Sequence, residues 1–185
     1  PATGANTTYS VYVLEDSTEQ DITLNKYDGF NQLRKVTTGG VAAEYKYNAD
    51  GLRVSKNINN IETRHIWDGP NIALELVGST ITSIYIRGIN LLYSDLSGAK
   101  KYYLFNGHGD TVQLTGSTGN VIKTYDYDAF GNEKAHDAND INVFRYCGEY
   151  FDKETGTIIY GHVTIIRGLG GLLLRIVTSG SLMTR

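Results

Sequence analysis

Residues 127–132 read Tyr-Asp-Ala-Phe-Gly-Asn, the clearest copy of a Tyr-Asp-x-x-Gly pattern that recurs along the chain. Residues 47–52 repeat it as Tyr-Asn-Ala-Asp-Gly-Leu, with one polar exchange. An Asp or Asn side chain in the second position can accept a hydrogen bond from the backbone two residues further on, and Gly or Asn tolerates the positive φ that closes a tight turn. The pattern therefore specifies one turn shape several times.

The copies share an aromatic anchor, an Asp or Asn, and a closing Gly or Asn. Their defining residues are Tyr27, Asp28 and Asn31; Tyr47, Asn48 and Gly51; Trp67, Asp68 and Asn71; Phe105, Asn106 and Gly109; and Tyr127, Asp128 and Gly131. The anchors are about 20 residues apart, a spacing that indicates a repeat architecture. Tyr85 is the candidate anchor for the copy missing between Trp67 and Phe105.

A second series of turn signals lies midway between the anchors, at 39–40, 59–60, 78–79, 97–98 and 119–120. Between turns the residues alternate, as in Glu-Tyr-Lys-Tyr at 44–47, which places tyrosines on one face of a strand and polar residues on the other. The content of 14 Tyr and 21 Gly against 2 Pro also favours strands and tight turns. We predict an all-β antiparallel meander of stacked hairpins, with open edge strands that promote self-association.

Composition and charge argue against several classes of protein. The net charge of −3 and the lack of a basic block make nucleic acid an unexpected partner. The most apolar stretch, 168–177, contains Arg175 and is too short to span a membrane. The chain begins at Pro1 without a signal sequence, so we expect an internal fragment or one whose start was removed.

Candidate chemical groups are few. The single cysteine, Cys147, excludes an internal disulfide and a zinc site with paired cysteines, and its surroundings indicate packing in a strand. No two of the four histidines have a metal-ligand spacing, and the nearest thing to a pair is His108 with Asp110, which lies inside a repeat turn. We predict no catalytic residue, no metal and no cofactor.

The C-terminal part carries a more specific signal in three runs: YLFNGHGDTVQL at 103–114, STGNVIKTYDYDAFGNE at 117–133 and FRYCGEYFDKETG at 144–156. These runs resemble the RHS repeat-associated core, and with the looser copies they make residues 25–157 resemble the YD repeats of RHS and bacterial wall-associated proteins. The resemblance implies a long β-sheet strip that curls into a hollow shell around a C-terminal toxin. It also implies a secreted or cell-surface location and, as partners, the rest of the shell and the toxin.

This resemblance divides the chain into four parts. Residues 1–25 form a degenerate repeat or lead-in, 26–101 the YD repeats, 102–157 the core-like region, and 158–185 a tail that departs from the family. The function implied is that of a non-catalytic structural segment of the shell, an open fragment of its wall.

Two other functions stay open. A carbohydrate-binding wall module would expose rows of tyrosines for stacking on sugar rings, with Tyr45, Tyr47, Tyr125 and Tyr127 as the candidates. A remnant of a self-cleaving aspartate protease is the second alternative. Family members continue with a motif like YLRARYYDPxxGRF and a later DPxG segment that serves the cleavage, and neither occurs in this sequence.

The tail after Thr157 suggests a change of reading frame. One choice of codons for it, read in another frame after a single deleted base, encodes IYLRARYYYPGLGRFITEDSYVGKSNDP, which resembles the family continuation. We therefore hypothesise an out-of-frame, poorly packed tail from about Ile158, the alternative being a diverged native terminus. We expect one base inserted near codons 157–160 to restore the family sequence, which sequencing the gene will check. A gene that no single insertion restores contradicts the hypothesis.

Overall fold

The regular secondary structure of the residues described is almost entirely β-strand. The computed structural model describes residues 7–10, 24–160 and 163–165, and side chains from 24 to 159. Twelve strands form one antiparallel sheet in which spatial order equals sequence order. They are β1 Thr7–Ser10, β2 Leu24–Tyr27, β3 Leu33–Thr38, β4 Val41–Tyr47, β5 Arg53–Ile58, β6 Ile61–Asp68, β7 Asn71–Val77, β8 Thr80–Arg87, β9 Leu91–Leu96, β10 Ala99–Phe105, β11 Thr111–Thr115 and β12 Val121–Thr124. The predicted all-β meander is confirmed.

The Asp-x-x-Gly pattern forms the same turn in four places. In the last copy the Asp128 side chain accepts hydrogen bonds from the backbone N–H groups of Phe130 and Asn132, and the Asp128 carbonyl accepts one from Gly131. The turns that begin at Asp28 and Asn106 repeat all three bonds, and the turn at Asn48 repeats those from the N–H groups of Gly51 and Leu52. The closing residue has positive φ in each, for example 80° at Gly131 and 62° at Asn31.

The turn after Trp67 is built differently. Asp68 pairs directly with Asn71, so the loop is only Gly69-Pro70, and it is Gly69 that has positive φ. Asn71 therefore does not occupy the closing position that the pattern predicted for it, because Gly-Pro already forms a two-residue hairpin.

Arg87, rather than Tyr85, is the anchor of the copy that was missing from the pattern. Each anchor pairs across its hairpin at a register shift; the pairs are Tyr27 with Leu33, Tyr47 with Arg53, Trp67 with Ile72, Arg87 with Leu91, and Phe105 with Thr111. Tyr85 lies two residues before this position. The sequence pattern does not indicate Arg87, because it requires an aromatic residue at the anchor position.

Tyr85 belongs instead to the most buried row of the sheet. The residues two positions before the anchors are all less than a tenth exposed; they are Asn25, Tyr45, His65, Tyr85, Tyr103 and Tyr125. Because side chains alternate along a strand, this row points to one side of the sheet, which we call the covered face. The residues between it and the anchors, such as Ile66 and Ile86, are exposed on the opposite, open face.

A second, smaller sheet lies over the covered face. It contains β13 Tyr150–Asp152, β14 Thr157–Tyr160 and β15 Val163–Ile165, and it follows a 3-10 turn at Tyr146–Gly148. Phe144, Tyr150 and Ile159 pack in one core cluster with residues of the large sheet. Two of the ring contacts are edge-to-face, at 4.8 Å between Tyr85 and Phe144 and 5.7 Å between Phe144 and Tyr150. We call residues 150–160 the C-terminal hairpin.

The hairpin extends past the proposed start of the tail. Ile158 and Ile159 are in β14 and are buried. Residues 161–162 and 166–185, to which most of the prediction of poor packing applies, lie outside the described residues, as does most of the lead-in. In the part of the chain that the structure describes, no helix is long and apolar enough to cross a membrane.

Gly131 is a position where two effects can be separated. A Cβ added there would lie 2.6 Å from Cδ1 of Tyr146, whereas one added at Gly119 would meet nothing within 4 Å. The φ angles are alike, 80° and 83°. We expect Gly119→Ala to cost about 1 kcal/mol of unfolding free energy from backbone strain, and Gly131→Ala about 1–3 kcal/mol more from the clash. Thermal unfolding of both variants measures the difference, and equal losses would contradict the packing described here.

Candidate functional site

A buried ion pair joins the C-terminal hairpin to the large sheet. Arg53, in β5, donates two hydrogen bonds to the carboxylate of Asp152, in β13, one of them 3.2 Å long. Lys56 Nζ lies 3.2 Å from the same carboxylate and 3.3 Å from that of Glu154. Arg53 is 2% exposed and Asp152 is 1% exposed. Two buried cations of the sheet therefore face a buried carboxylate, Asp152, and a half-buried one, Glu154, in the hairpin.

The groups of this pair hold each other in the charged form. Burial alone would raise the pKa of Asp152, but the charges of Arg53 and Lys56 outweigh it and lower that pKa. Burial would likewise lower the pKa of Arg53, and Asp152 outweighs it in the opposite direction. Removing either partner would leave a buried charge without compensation.

Glu75, in β7, is a second point of attachment. Its carboxylate accepts a hydrogen bond of 2.8 Å from the Tyr85 hydroxyl and one of 2.5 Å from the hydroxyl of Tyr150 in the hairpin. The ring of His65 lies 5.4 Å from the Tyr150 ring, and burial lowers the pKa of His65 well below its usual value. A neutral His65 therefore packs beside Arg53 without adding a further positive charge.

A third set of buried hydrogen bonds joins residues 140–145 to the last hairpins of the large sheet and the turn that follows them. The Tyr125 hydroxyl donates to Asp140 over 2.6 Å, and the Tyr103 hydroxyl donates to Asn142 over 2.5 Å. Arg145, 2% exposed, donates to Glu133 over 2.6 Å. Two tyrosines of the buried row, Tyr103 and Tyr125, thus donate hydrogen bonds to the segment that covers them, which their positions alone did not predict.

The anchors have a recurring role of their own. The Tyr47 hydroxyl donates to the carbonyl of Leu33, the Trp67 indole to that of Arg53, and the Tyr127 hydroxyl to that of Thr111, over 2.9, 2.9 and 3.0 Å. Each acceptor is the residue that pairs across the hairpin with the preceding anchor. An anchor with a polar tip therefore bonds one hairpin to the backbone of the hairpin before it.

The four tyrosines considered for sugar stacking lie in two environments. Tyr45 and Tyr125 are each 3% exposed and present almost no ring surface to solvent. Tyr47 and Tyr127 are half-buried, and both hydroxyls are used in the inter-hairpin bonds. The Tyr127 ring also stacks on that of Tyr125 at 6.2 Å. These contacts engage the rings within the protein.

The fold also brings Cys147 to the His108–Asp110 pair, 39 residues away in sequence. The Nδ1 atom of His108 is 2.9 Å from Asp110 Oδ1 and 3.9 Å from Cys147 Sγ. The thiol and the carboxylate thus face the same ring nitrogen, whereas a catalytic triad uses the two different nitrogens of its histidine. The cluster borders an open cavity of about 300 Å³ between the turns at 106–110 and 125–129.

The buried ion pair leads to a prediction about stability. We expect Asp152→Ala to lower the free energy of unfolding by about 3–5 kcal/mol, because Arg53 and Lys56 would stay buried without their main anion. Asp126→Ala is the control, since its ion pair with Lys134 is exposed and worth less than about 1 kcal/mol. Chemical denaturation measures both changes. A loss for Asp152→Ala no larger than that for Asp126→Ala would show that the hairpin does not depend on this pair.

Comparison with curated proteins finds sequence relatives, although no family model matches the chain. The chain is 34% identical over 141 residues to the tRNA3(Ser)-specific nuclease WapA of Bacillus spizizenii and 35% identical to the tRNA nuclease WapA of Bacillus subtilis. Each match covers 70% of this chain but only 6% of the relative. The chain therefore corresponds to a small part of these proteins.

Solved structures of similar fold come from large toxin complexes. The TcdB2-TccC3-Cdc42 crystal structure matches with a TM-score of 0.60 and 18% identity, over 77% of this chain and 8% of the other. The structure of the Tc holotoxin pore of Photorhabdus luminescens matches with a TM-score of 0.58, 20% identity and the same coverage. The chain shares their fold, and together with the WapA similarity this supports a relationship to the RHS/YD-repeat proteins.

Proposed function

We propose that the chain is a non-catalytic segment of the wall of an RHS-type β-shell, in a secreted or cell-surface protein whose whole form encloses and delivers a C-terminal toxin. The observation that carries the proposal is the order of the large sheet, whose twelve strands follow the sequence without a crossover. Such a strip can be lengthened at either edge by more hairpins without rearranging those already formed.

The two faces of the strip suit a wall. The covered face is closed by the C-terminal hairpin through buried ion pairs and aromatic contacts. The open face carries a mixture of charged and apolar residues, such as Lys46 and Ile86. Association with a toxin is supported by the similarity to small parts of WapA nucleases and of Tc toxin structures.

The other two functions have less support. Sugar stacking needs accessible ring faces, and two of the four candidate tyrosines are buried. A protease remnant would need an aspartate available for chemistry, yet the buried Asp110, Asp140 and Asp152 all hold hydrogen bonds or ion pairs inside the structure. A structural role accounts for the same residues directly.

The wall function predicts that β12 is an edge that recruits further strands. Val121 and Ile122 in this strand are 53% and 47% exposed. We expect the purified chain to self-associate at high concentration, and the double variant Val121→Lys, Ile122→Lys to be shifted toward the monomer, because lysines on an edge strand oppose pairing with another chain. Static light scattering over a concentration series measures the shift.

Ile89→Lys is the matched control. Ile89 is fully exposed but lies in the turn between β8 and β9, away from either edge of the sheet. If Ile89→Lys reduces association as much as the double variant, exposed apolar surface rather than the edge drives it. That result, or a wild-type chain that stays monomeric at high concentration, would overturn the proposal.

A further inference from the structure

We propose that His108, Asp110 and Cys147 form a binding site for a single zinc ion. One ligand atom from each residue, namely Nδ1, a carboxylate oxygen and Sγ, lies within 4.8 Å of the other two. Thiolate, imidazole and carboxylate are the three side-chain ligands that zinc uses in proteins. The site goes beyond the proposed wall function and does not depend on it.

The positions of the three atoms favour a shared cation. The thiol sulfur and a carboxylate oxygen both lie near the same ring nitrogen, so one ion can contact all three atoms. Around a tetrahedral zinc ion, the nitrogen would be about 3.4 Å from the oxygen and about 3.6 Å from the sulfur. The observed 2.9 and 3.9 Å differ from these values by up to about half an ångström. The sulfur and the oxygen, which lie within 4.8 Å of each other, would have to be about 3.6 Å apart in the bound state, so side-chain rotation accompanies binding.

The backbone around the site holds the ligands in place. The N–H of Cys147 donates to Asp110 Oδ1 over 2.9 Å, and Asn106 Nδ2 donates to the other carboxylate oxygen over 2.8 Å. The carbonyl of Arg145 accepts a hydrogen bond of 2.9 Å from the N–H of Thr111, which fixes the turn at 146–148 against β11. Hydrogen bonds to the ligands of a metal site orient those ligands and strengthen binding.

The site is also accessible. The His108 side chain is 59% exposed, and the cavity beside it leaves room for a fourth ligand such as water. On binding, His108 would use the Nδ1 lone pair with its ring hydrogen on Nε2, and the Cys147 thiol would lose its proton to solvent. Zinc would then connect the turn at 106–110 to the segment that leads into the C-terminal hairpin.

Cobalt(II) titration of the untagged, reduced full chain tests the site, because a thiolate bound to cobalt has a charge-transfer band in the near ultraviolet. We expect the band to saturate at one equivalent and to disappear when zinc is added in excess. Cys147→Ser should abolish the band, and His108→Ala should weaken binding at least tenfold. Zinc should raise the melting temperature of the wild type and leave that of Cys147→Ser unchanged.

His136→Ala is the matched control, since His136 is also an exposed histidine beside a carboxylate, 3.7 Å from Glu133. It should bind cobalt as the wild type does. Circular dichroism of each variant establishes that it is folded; His108 lies on an exposed turn, so His108→Ala keeps the test valid if a Cys147 variant misfolds. A wild-type chain without the band, undiminished binding by Cys147→Ser, or equal losses for His108→Ala and His136→Ala would overturn the proposal.

Discussion

A single-layered sheet cannot bury its own side chains, and the rest of this structure follows from that constraint. Each hairpin is marginal alone, and stacking hairpins edge to edge still leaves both faces open. The chain covers one face with residues 140–160, whose aromatic rings fill the spaces between the buried tyrosines. The order of the large sheet therefore depends on a segment that is distant in sequence and folds back over it.

The contact between the two sheets is unusually polar for a core. Arg53, Lys56, Glu75 and Asp152 are all less than a tenth exposed. Buried ion pairs gain little net stability over apolar packing, but a misplaced partner is strongly unfavourable. Only one placement of the hairpin pairs Asp152 with Arg53 and Tyr150 with Glu75. The polar contacts thus select the position of the hairpin, while the apolar cluster supplies most of the driving force.

The features that could be predicted from the sequence are the local ones. The turn that begins at Asp128 depends on five consecutive residues, and turns with the same hydrogen bonds begin at Asp28 and Asn106. The pattern does not indicate the anchor at Arg87, because an anchor is defined by its position at the register shift. An arginine side chain can occupy that position as well as an aromatic ring. After Trp67 the pattern wrongly predicts that Asn71 closes the turn, because Gly69-Pro70 already closes the loop in two residues.

The long-range features could not be read from the pattern. Arg53 and Asp152 are 99 residues apart, and nothing in the spacing of either indicates the other. The same holds for Cys147 and His108, whose local sequence indicates packing in a strand for the one and a repeat turn for the other. Both pairs arise only when residues 140–160 fold back over the sheet, so their chemistry is a property of the fold.

The bonds from the anchors have a direction along the chain. Tyr47, Trp67 and Tyr127 each donate to a carbonyl that precedes them by 14 to 16 residues, in the hairpin made earlier. A hairpin leaving the ribosome thus meets an acceptor that is already in place, and never has to wait for one still to be synthesised. Each hairpin of the strip can therefore bond to the hairpin before it in the order in which the chain is translated.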